Sequence, residues 1–469
     1  MILFEQHNKK IESSFRSDEW KNVIDSIWKN RYSFGLENDT RHKFNSDAKQ
    51  QLLDIRNGEL ITAGKYCGVI RNRDEEISII PKIFHSAENE KNIEKNPDLL
   101  LKQVHSHMLW WMSYGSKIRL PKSFASFSTQ NSNLLEILIY FYAYFTEELL
   151  NSFIFNDYHL TEDNLGLVRG RIKFNEYARH ASRGNWHLIP CEYSEYQYDN
   201  LLNQIIKYVT NLLIDFSKKN ETKKLLEKIL DRLSGVSYRR FESEDCDRIL
   251  LNPLFEEYHI VLDYCKMFLS SSQVSAANDK ISVFSFLVDT AELYEKFLLG
   301  FMTRKQKELG ISKVVKDTTS LGKNSETNKN SFGVEFDFRI KMADGREILA
   351  DAKYKKIYRV EKGDEKTKNF GINNSDVFQM MAYSQRTGIK HLHLFYPKYI
   401  RHGKEPLYHS FEMFDTPKSK YTSLSAEALD ICNYQISDYN EEKRLSEYFV
   451  DTENRLLDQI KKILNPINK

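Results

Sequence analysis

Nowhere does this sequence hold the roughly 18–20 consecutive apolar residues that a membrane-spanning helix needs, so no such span is expected. Cysteine is scarce. Cys67, Cys191, Cys246, Cys265 and Cys432 are dispersed, odd in number and without metal-ligand spacing, which argues against a zinc module or a disulfide framework. Reduced thiols in a cytoplasmic protein are expected instead, and Met1-Ile2-Leu3-Phe4 leads straight into charged residues rather than into a secretory signal. Charge of one sign is also missing. With 68 Lys+Arg against 66 Asp+Glu the net charge is +2, so no global field draws the chain to nucleic acid, and any basic surface has to be local. No internal repeat is visible. No Gly-x-x-x-x-Gly-Lys-Ser/Thr occurs either; the nearest fragment, Leu321-Gly322-Lys323-Asn324, fails the pattern, so the chain is not expected to hydrolyse a nucleotide by a P-loop.

What is present is a long chain with ample core. A length of 469 residues sets a prior of about three domains. Two polar, small-residue stretches, Ala125–Asn133 and Ser270–Lys280, are candidate linkers. They divide the chain into 1–125, 126–275 and 276–469, and an α+β multidomain protein is expected. The first segment contains a hairpin over Lys65–Ile83, with a polar turn at Asn72–Glu75 and with Pro81 confining the strand end to an edge or a bulge. The middle segment is mostly helical, over Leu134–Leu150, Asn200–Phe216 and Glu221–Leu233, with an irregular or β-rich insertion over Tyr158–Tyr193. Between Met302 and Asn330, seven Lys and Arg face three Asp and Glu, so this approach to the third segment's hairpin reads as a loop that either touches phosphates or is simply solvated. The tail, Glu441–Leu464, has helical spacing at Leu445, Phe449, Leu456 and Ile460 and is expected to pack on the third segment's core.

The most informative stretch is Phe332–Tyr354. From Val334 to Ile340 apolar and polar residues alternate, so Val334, Phe336, Phe338 and Ile340 are expected on one face and Glu335, Asp337 and Arg339 on the other. A second alternation runs from Glu347 to Tyr354, and Ala343-Asp344-Gly345 joins the two. A two-residue turn sets Phe338 opposite Asp351 and buries a carboxylate among apolar partners. A three-residue loop with left-handed Gly345 pairs Met342 with Arg346, Ile340 with Ile348 and Phe338 with Ala350, and it brings Asp337 across from Asp351 and Glu335 across from Lys353. Burial selects the second register, because a slip of one residue flips every side chain. Opposed carboxylates about 4.5–5.5 Å apart at Cβ repel unless a cation lies between them, and oxygen ligands suit Mg²⁺. Asp-x-Lys alone carries little information, since Asp364-Glu365-Lys366 has the same form, and an amphipathic hairpin with a solvated charged face also satisfies the pattern.

Two helices flank the hairpin. Asp289 or Thr290 can cap one whose apolar stripe is Leu293, Tyr294, Phe297, Leu298, Phe301 and Met302, with Glu295 at its edge. Asn374 or Ser375 can cap the other, on which Gln379 and Tyr383 share a face and which Gly388 ends. A strand, His391–Tyr396, follows; His391 and His393 alternate on it but lack a Cys or carboxylate at ligand spacing, so they read as structural.

Helix, hairpin, helix and strand, carrying Glu295, Asp337, Asp351-x-Lys353 and Gln379-x-x-x-Tyr383 in that order, resemble the PD-(D/E)xK nuclease superfamily and its RecB-like branch, with Phe336 where a proline is usual. Three further stretches sharpen the likeness: Ala63–Ile70 with Ile77–Ile83, Asn164–Ile172, and Cys191–Tyr193 with Asp199–Asn203. Together they resemble the McrC family, nuclease subunits of the modified-cytosine restriction system. The resemblance implies a C-terminal restriction-endonuclease-like α/β domain. It implies that Asp337, Asp351 and the Ala352 carbonyl hold Mg²⁺, or Mn²⁺ in its place, and that Glu295 holds a second metal or a metal-bound water. Lys353 then acts on the water or the phosphate, Gln379 orients Lys353 or the phosphate, and Tyr383 supports that helix. It implies double-stranded DNA, modified or not, as substrate, in a prokaryotic cytoplasm. It also implies docking on a hexameric McrB-like AAA+ GTPase, which binds the GTP that this chain does not. Arg169 and Arg171 are candidates for that contact; an ordinary turn with exposed arginines is the alternative. Two other functions stay open, a non-cleaving adaptor that activates the AAA+ partner and clamps DNA, and a stand-alone RecB-like repair nuclease.

Overall fold

The computed structural model describes residues 1–16, 18–29, 52–56, 59–115, 133–274, 281–358, 369–400, 407–413, 422–433 and 445–465. Most of the first candidate linker, the last part of the second, Asp364-Glu365-Lys366 and the start of the tail, 441–444, lie outside these residues. The chain forms two compact units, one of Met1–Ile137 with Val283–Lys469 and one of Leu138–Ser282. The first and third sequence segments therefore share a unit, and the second segment supplies most of the other. No helix among the described residues is long and apolar enough to cross a membrane.

In the first unit, strands β1 (Ile2–Phe4), β2 (Tyr66–Asn72), β3 (Glu75–Ile80) and β4 (Ile281–Asp289, in this unit from Val283 onward) lie side by side in the order β1, β3, β2, β4. β2 and β3 are the expected hairpin, pairing from Gly68↔Ile79 to Asn72↔Glu75. The edge or bulge expected from Pro81 is corrected, because the proline lies outside the strand. β3 is flanked by both β1 and β2, and the proline falls one residue past its end, where it costs the ladder no hydrogen bond. Gly68, at φ 137°, sits against β4 so closely that a Cβ there would lie 2.1 Å from the Phe286 carbonyl oxygen. Helix α1 (Pro97–Gly115) packs beside helix α2 (Thr290–Arg304), which follows β4 directly.

A second sheet carries the candidate site. It consists of β5 (Ile311–Lys323), β6 (Asn330–Met342), β7 (Glu347–Ala352), β8 (His391–Pro397), β9 (Tyr408–Met413) and β10 (Thr422–Leu429), in the order β5, β6, β7, β8, β10, β9. The β6–β7 hairpin has the three-residue register: Phe338↔Ala350, Ile340↔Ile348, Met342 N–H donating to the Arg346 carbonyl, and Gly345 at φ 88°. β8 runs parallel to β7, and helix α3 (Asn374–Thr387) joins them. On one face, α3 packs Met380 and Tyr383 onto Phe336, Leu349, Leu392 and Leu394. The tail forms helix α4 (Leu445–Leu464), whose Phe449 stacks on Trp110 of α1 at 4.5 Å, a pairing worth about 0.5–1.5 kcal/mol beyond its buried area.

Three expectations need correction. Ile311–Lys323 is a strand, not a loop: its Lys, Ser and Thr residues are accommodated because, among the described residues, β5 is an outer strand paired only with β6. The alternation in β6 is also not continuous. Between the pairs Val315↔Arg339 and Asp317↔Phe336, β5 advances two residues and β6 three. The extra residue is a bulge at Asp337–Phe338. It turns Phe336 toward Tyr383 (ring centroids 4.5 Å apart) while Phe338 meets Phe395 on the other face. Finally, α3 takes Asn373 at its N-cap without a side-chain cap, so neither Asn374 nor Ser375 serves; the Asn374 amide oxygen accepts from Asn369 instead.

The second unit contains helices Leu201–Phe216, Asn220–Arg232 and Glu256–Ser271 and most of Leu134–Ser152. Tyr142 ties two of them, donating to the Ile206 carbonyl at 3.0 Å and meeting Thr210 Oγ1 at 2.7 Å. Of the two forms expected for the insertion, irregular or β-rich, the second is found: an ordered sheet of Asp157–Leu165, Ile189–Gln197 and Arg171–Ile172 in spatial order, with helix Phe174–Ser182.

Candidate active site

The β6 bulge and the end of β7 bring acidic and basic groups to the face that α3 covers. Asp337 Oδ2 accepts the Ala352 N–H at 2.8 Å, so its carboxylate reaches across to the strand carrying Asp351. Asp351 is 2% exposed and pairs with the Lys353 ammonium. The Lys353 backbone N–H is held by the Phe395 carbonyl at 2.8 Å, which fixes the chain where β7 ends. From α3, Gln379 Oε1 accepts from Lys353 Nζ at 3.1 Å and its amide donates to Tyr383 Oη, whose hydroxyl in turn donates to the Glu335 carbonyl at 2.8 Å. Lysine, glutamine, tyrosine and the β6 backbone thus form one connected network.

The electrostatics follow from that crowding. Burial pushes Asp337 up to about 7, aided by the charges of Asp351 and Glu295. Burial also raises Asp351, and the Lys353 charge works against it. Burial pulls Lys353 down, but the Asp351 charge and hydrogen bond carry it above the usual lysine range, so it is an ammonium at neutral pH. Glu295, on α2, is close enough to act on Asp337, yet its Oε1 pairs with Lys316 Nζ at 2.7 Å, and Lys316 also reaches Glu335 at 2.8 Å.

Whether a divalent cation fits can be judged from the donors. Asp351 Oδ2 is buried, and its charged partner is the Lys353 ammonium. Asp337 is a buried carboxyl beside it, raised toward neutrality by burial and by the charges of Asp351 and Glu295. No group of three His, Cys, Asp or Glu side chains able to hold a metal occurs among the described residues. The oxygen donors that the site brings together are the two carboxylates of Asp337 and Asp351. That suits Mg²⁺, which keeps several of its waters and takes one or two carboxylates.

The sequence reading missed the pair formed by Lys355 and Asp376. Lys355 Nζ contacts both Asp376 oxygens at 2.9 Å, and buried Asp376, in the first turn of α3, acts electrostatically on Asp351 and Lys353. Its signal was weak, because an acidic residue in a first helical turn is common for reasons of the helix dipole alone. His391 and His393 lie on the opposite face of the sheet: His393 pairs with Ala350, and Leu394 with Asp351. Burial lowers His393 to about 4, and its Nδ1 meets Ser425 Oγ at 2.6 Å, so it is a neutral, satisfied side chain. Arg169 and Arg171 belong to the second unit. Arg169 lies over the Tyr193 ring at 4.0 Å and near Glu195 at 3.7 Å, and exposed Arg171 starts a two-residue strand.

The model of the McrBC 5-methylcytosine restriction system component family matches residues 61–397. The fold is similar to that of a chain in the refined half-complex from the tetradecameric assembly of Thermococcus gammatolerans McrB AAA+ hexamers with bound McrC. The TM-score is 0.64 at 16% identity, over 97% of this chain and 99% of that one. It is also similar to a chain in the cryo-EM structure of the Thermococcus gammatolerans McrBC complex, with a TM-score of 0.52 at 16% identity, over 65% of this chain and 88% of that one. No curated protein sequence matches the chain.

Proposed function

The chain belongs to the McrBC 5-methylcytosine restriction system component family, and from that premise we propose that it is the McrC-like nuclease subunit of a GTP-dependent restriction system. In this reading it is a Mg²⁺-dependent endonuclease that hydrolyses phosphodiester bonds of double-stranded DNA and stimulates a partner AAA+ GTPase. The observation that carries the reading is the convergence of Asp337, Asp351 and Lys353 at the end of a hairpin whose lysine is held by Gln379. The order helix, hairpin, helix and strand around them supports a PD-(D/E)xK-type domain.

Asp337, Asp351 and the Ala352 carbonyl are the groups that would hold Mg²⁺, or Mn²⁺ in its place, with Glu295 behind them. The bound ion supplies Lewis acidity toward a water and the scissile phosphate. Lys353, held as an ammonium by Asp351, is placed to position that water and to offset charge developing on the phosphate. Gln379 fixes the lysine's direction, Tyr383 anchors the glutamine to β6, and Asp376 holds Lys355 beside them. The partner we infer is a McrB-like AAA+ hexamer that binds the GTP, with Arg169 and Arg171 among the contacts; the Thermococcus gammatolerans assembly, which contains McrB hexamers with bound McrC, supports that inference. The protein then acts in the cytoplasm. Reconstitution with the partner GTPase on methylated and unmethylated duplexes tests the whole reading. Asp351→Ala and Lys353→Ala should each abolish cutting while leaving GTPase stimulation intact. Full cutting by either variant places the active site elsewhere.

A further inference from the structure

The β5–β6 hairpin is longer than the sheet requires. β6 pairs with β7 only from Phe338 to Lys341, whereas β5 and β6 stay paired as far as Lys323↔Asn330. Beyond the Asp337 bulge the two-stranded ribbon therefore continues with no third strand paired to it among the described residues. Its base is braced on α3, by Tyr383 donating to the Glu335 carbonyl at 2.8 Å and by Arg386 Nε donating to the Ser320 carbonyl at 2.9 Å. The same helix presents Gln379 to Lys353, so ribbon and catalytic groups share one rigid support. The tip is ordered too, because Asn324 Oδ1 accepts from the backbone of Glu326 and Thr327, and Asn324 N–H donates to the Lys329 carbonyl at 2.9 Å. From Leu321 to Phe332 the residues are exposed or half-buried, and the charged ones are Lys323, Glu326 and Lys329. Phe332, 78% exposed and at φ 57°, lays its ring near bare Gly322 across the ribbon, where it closes no core. A bulky residue at positive φ is uncommon, and this one leaves its ring in solvent rather than in a core.

We propose that this ribbon is a duplex-DNA arm, lying along a groove beside the cleavage site with Lys323 and Lys329 on backbone phosphates. The inference rests on the nuclease reading and names how that site holds its substrate. A two-stranded ribbon fits the major groove. At about 3.3 Å per residue the seven steps from Asp337 to Asn330 span about 23 Å, or about seven base pairs at 3.4 Å each. The basic tip compensates for a chain whose overall charge offers DNA no attraction.

The test titrates the full chain, without divalent metal, with a fluorescent duplex long enough to span site and tip, over a range of salt concentrations. Lys323→Ala with Lys329→Ala should lower the slope of log affinity against log salt by about 1.8, two phosphate contacts at about 0.9 each. Replacement of Gly322–Ser331 by an Asn-Gly turn should do the same. Asp351→Ala should keep the wild-type slope and lose cutting when Mg²⁺ and the partner GTPase are added. An unchanged slope in both ribbon variants overturns the proposal. So does a wild-type chain that binds no duplex at the lowest salt, or a loss confined to stimulation of the partner, which would make the ribbon a protein-docking arm. Cutting retained by Asp351→Ala defeats the nuclease reading but not a changed slope, so the two failures are told apart.

Discussion

Replacing Asp337 by asparagine is expected to stabilise the metal-free protein, and increasingly so as pH rises. In the folded chain burial and the neighbouring carboxylates lift Asp337 from 3.8 to about 7. Between those values the native state keeps a proton that the unfolded chain has lost. Unfolding then releases a proton, and stability falls as pH rises, by about 1.36 kcal/mol per pH unit. The cost is absent below the unfolded pKa, near 1.6 kcal/mol at about pH 5, and levels off near 4 kcal/mol above about pH 7. Asparagine carries no charge at any of these pH values, and its amide oxygen can still accept the Ala352 N–H. The variant's advantage should therefore grow from about 1.6 to about 4 kcal/mol between pH 5 and pH 8. Denaturation followed by tryptophan fluorescence suits the measurement, because Trp20, Trp28, Trp110 and Trp111 share the unit of Asp337 and only Trp186 lies in the other. Saturating Mg²⁺ should erase the difference by stabilising the ionised wild type alone. A variant no more stable than wild type at pH 8, or an advantage that does not change with pH, refutes the argument that a buried, undercompensated carboxylate occupies this position.

Metal uptake gives an independent reading of the same group. At about pH 6 Mg²⁺ binding should release close to one proton, because Asp337 must ionise first, and calorimetry in buffers of different ionisation enthalpy will count it. Tyr383→Phe removes the hydroxyl that links Gln379 to the Glu335 carbonyl. At about 1 kcal/mol for such a bond cleavage should slow about five- to tenfold with duplex affinity unchanged, and an unaltered rate would detach Tyr383 from the site. Gly68→Ala drives a Cβ into the Phe286 carbonyl at a φ reserved for glycine, so the first unit should lose at least about 2 kcal/mol in chemical denaturation. Wild-type stability in that variant would show that β2 and β4 can part without cost.

How much could be read in advance depended on which residues had a single satisfactory place. The β6–β7 register was legible because the alternative buries Asp351 opposite Phe338, and Gly345 supplied the left-handed turn. The bulge at Asp337 was not, because both faces of this sheet are covered. An apolar Phe336 is equally content against Tyr383 or beside Phe338, so an unbroken alternation in the letters conceals a change of side. β5 was hidden for the opposite reason. Its lysines, serines and threonines satisfy a strand with one neighbour as well as a solvated loop. In the site, Asp351, Lys353, Gln379 and Tyr383 fall together because two periodicities, two and nearly four, point them inward. Asp376 escaped notice because its partner Lys355 lies 21 positions earlier, across a segment with no regular pattern.

The pairing of β2 with β4 also governs how the chain can assemble. When Asn72 leaves the ribosome its neighbour strand is still 209 residues away, counting from 72 to 281. At about 5–20 residues per second that is roughly 10–40 s of translation. Nearly all of Leu138–Ser282 is synthesised in that interval and is free to condense by itself. The early hairpin meanwhile waits with one flank unsatisfied, a window in which a chaperone or a stray copy can engage it.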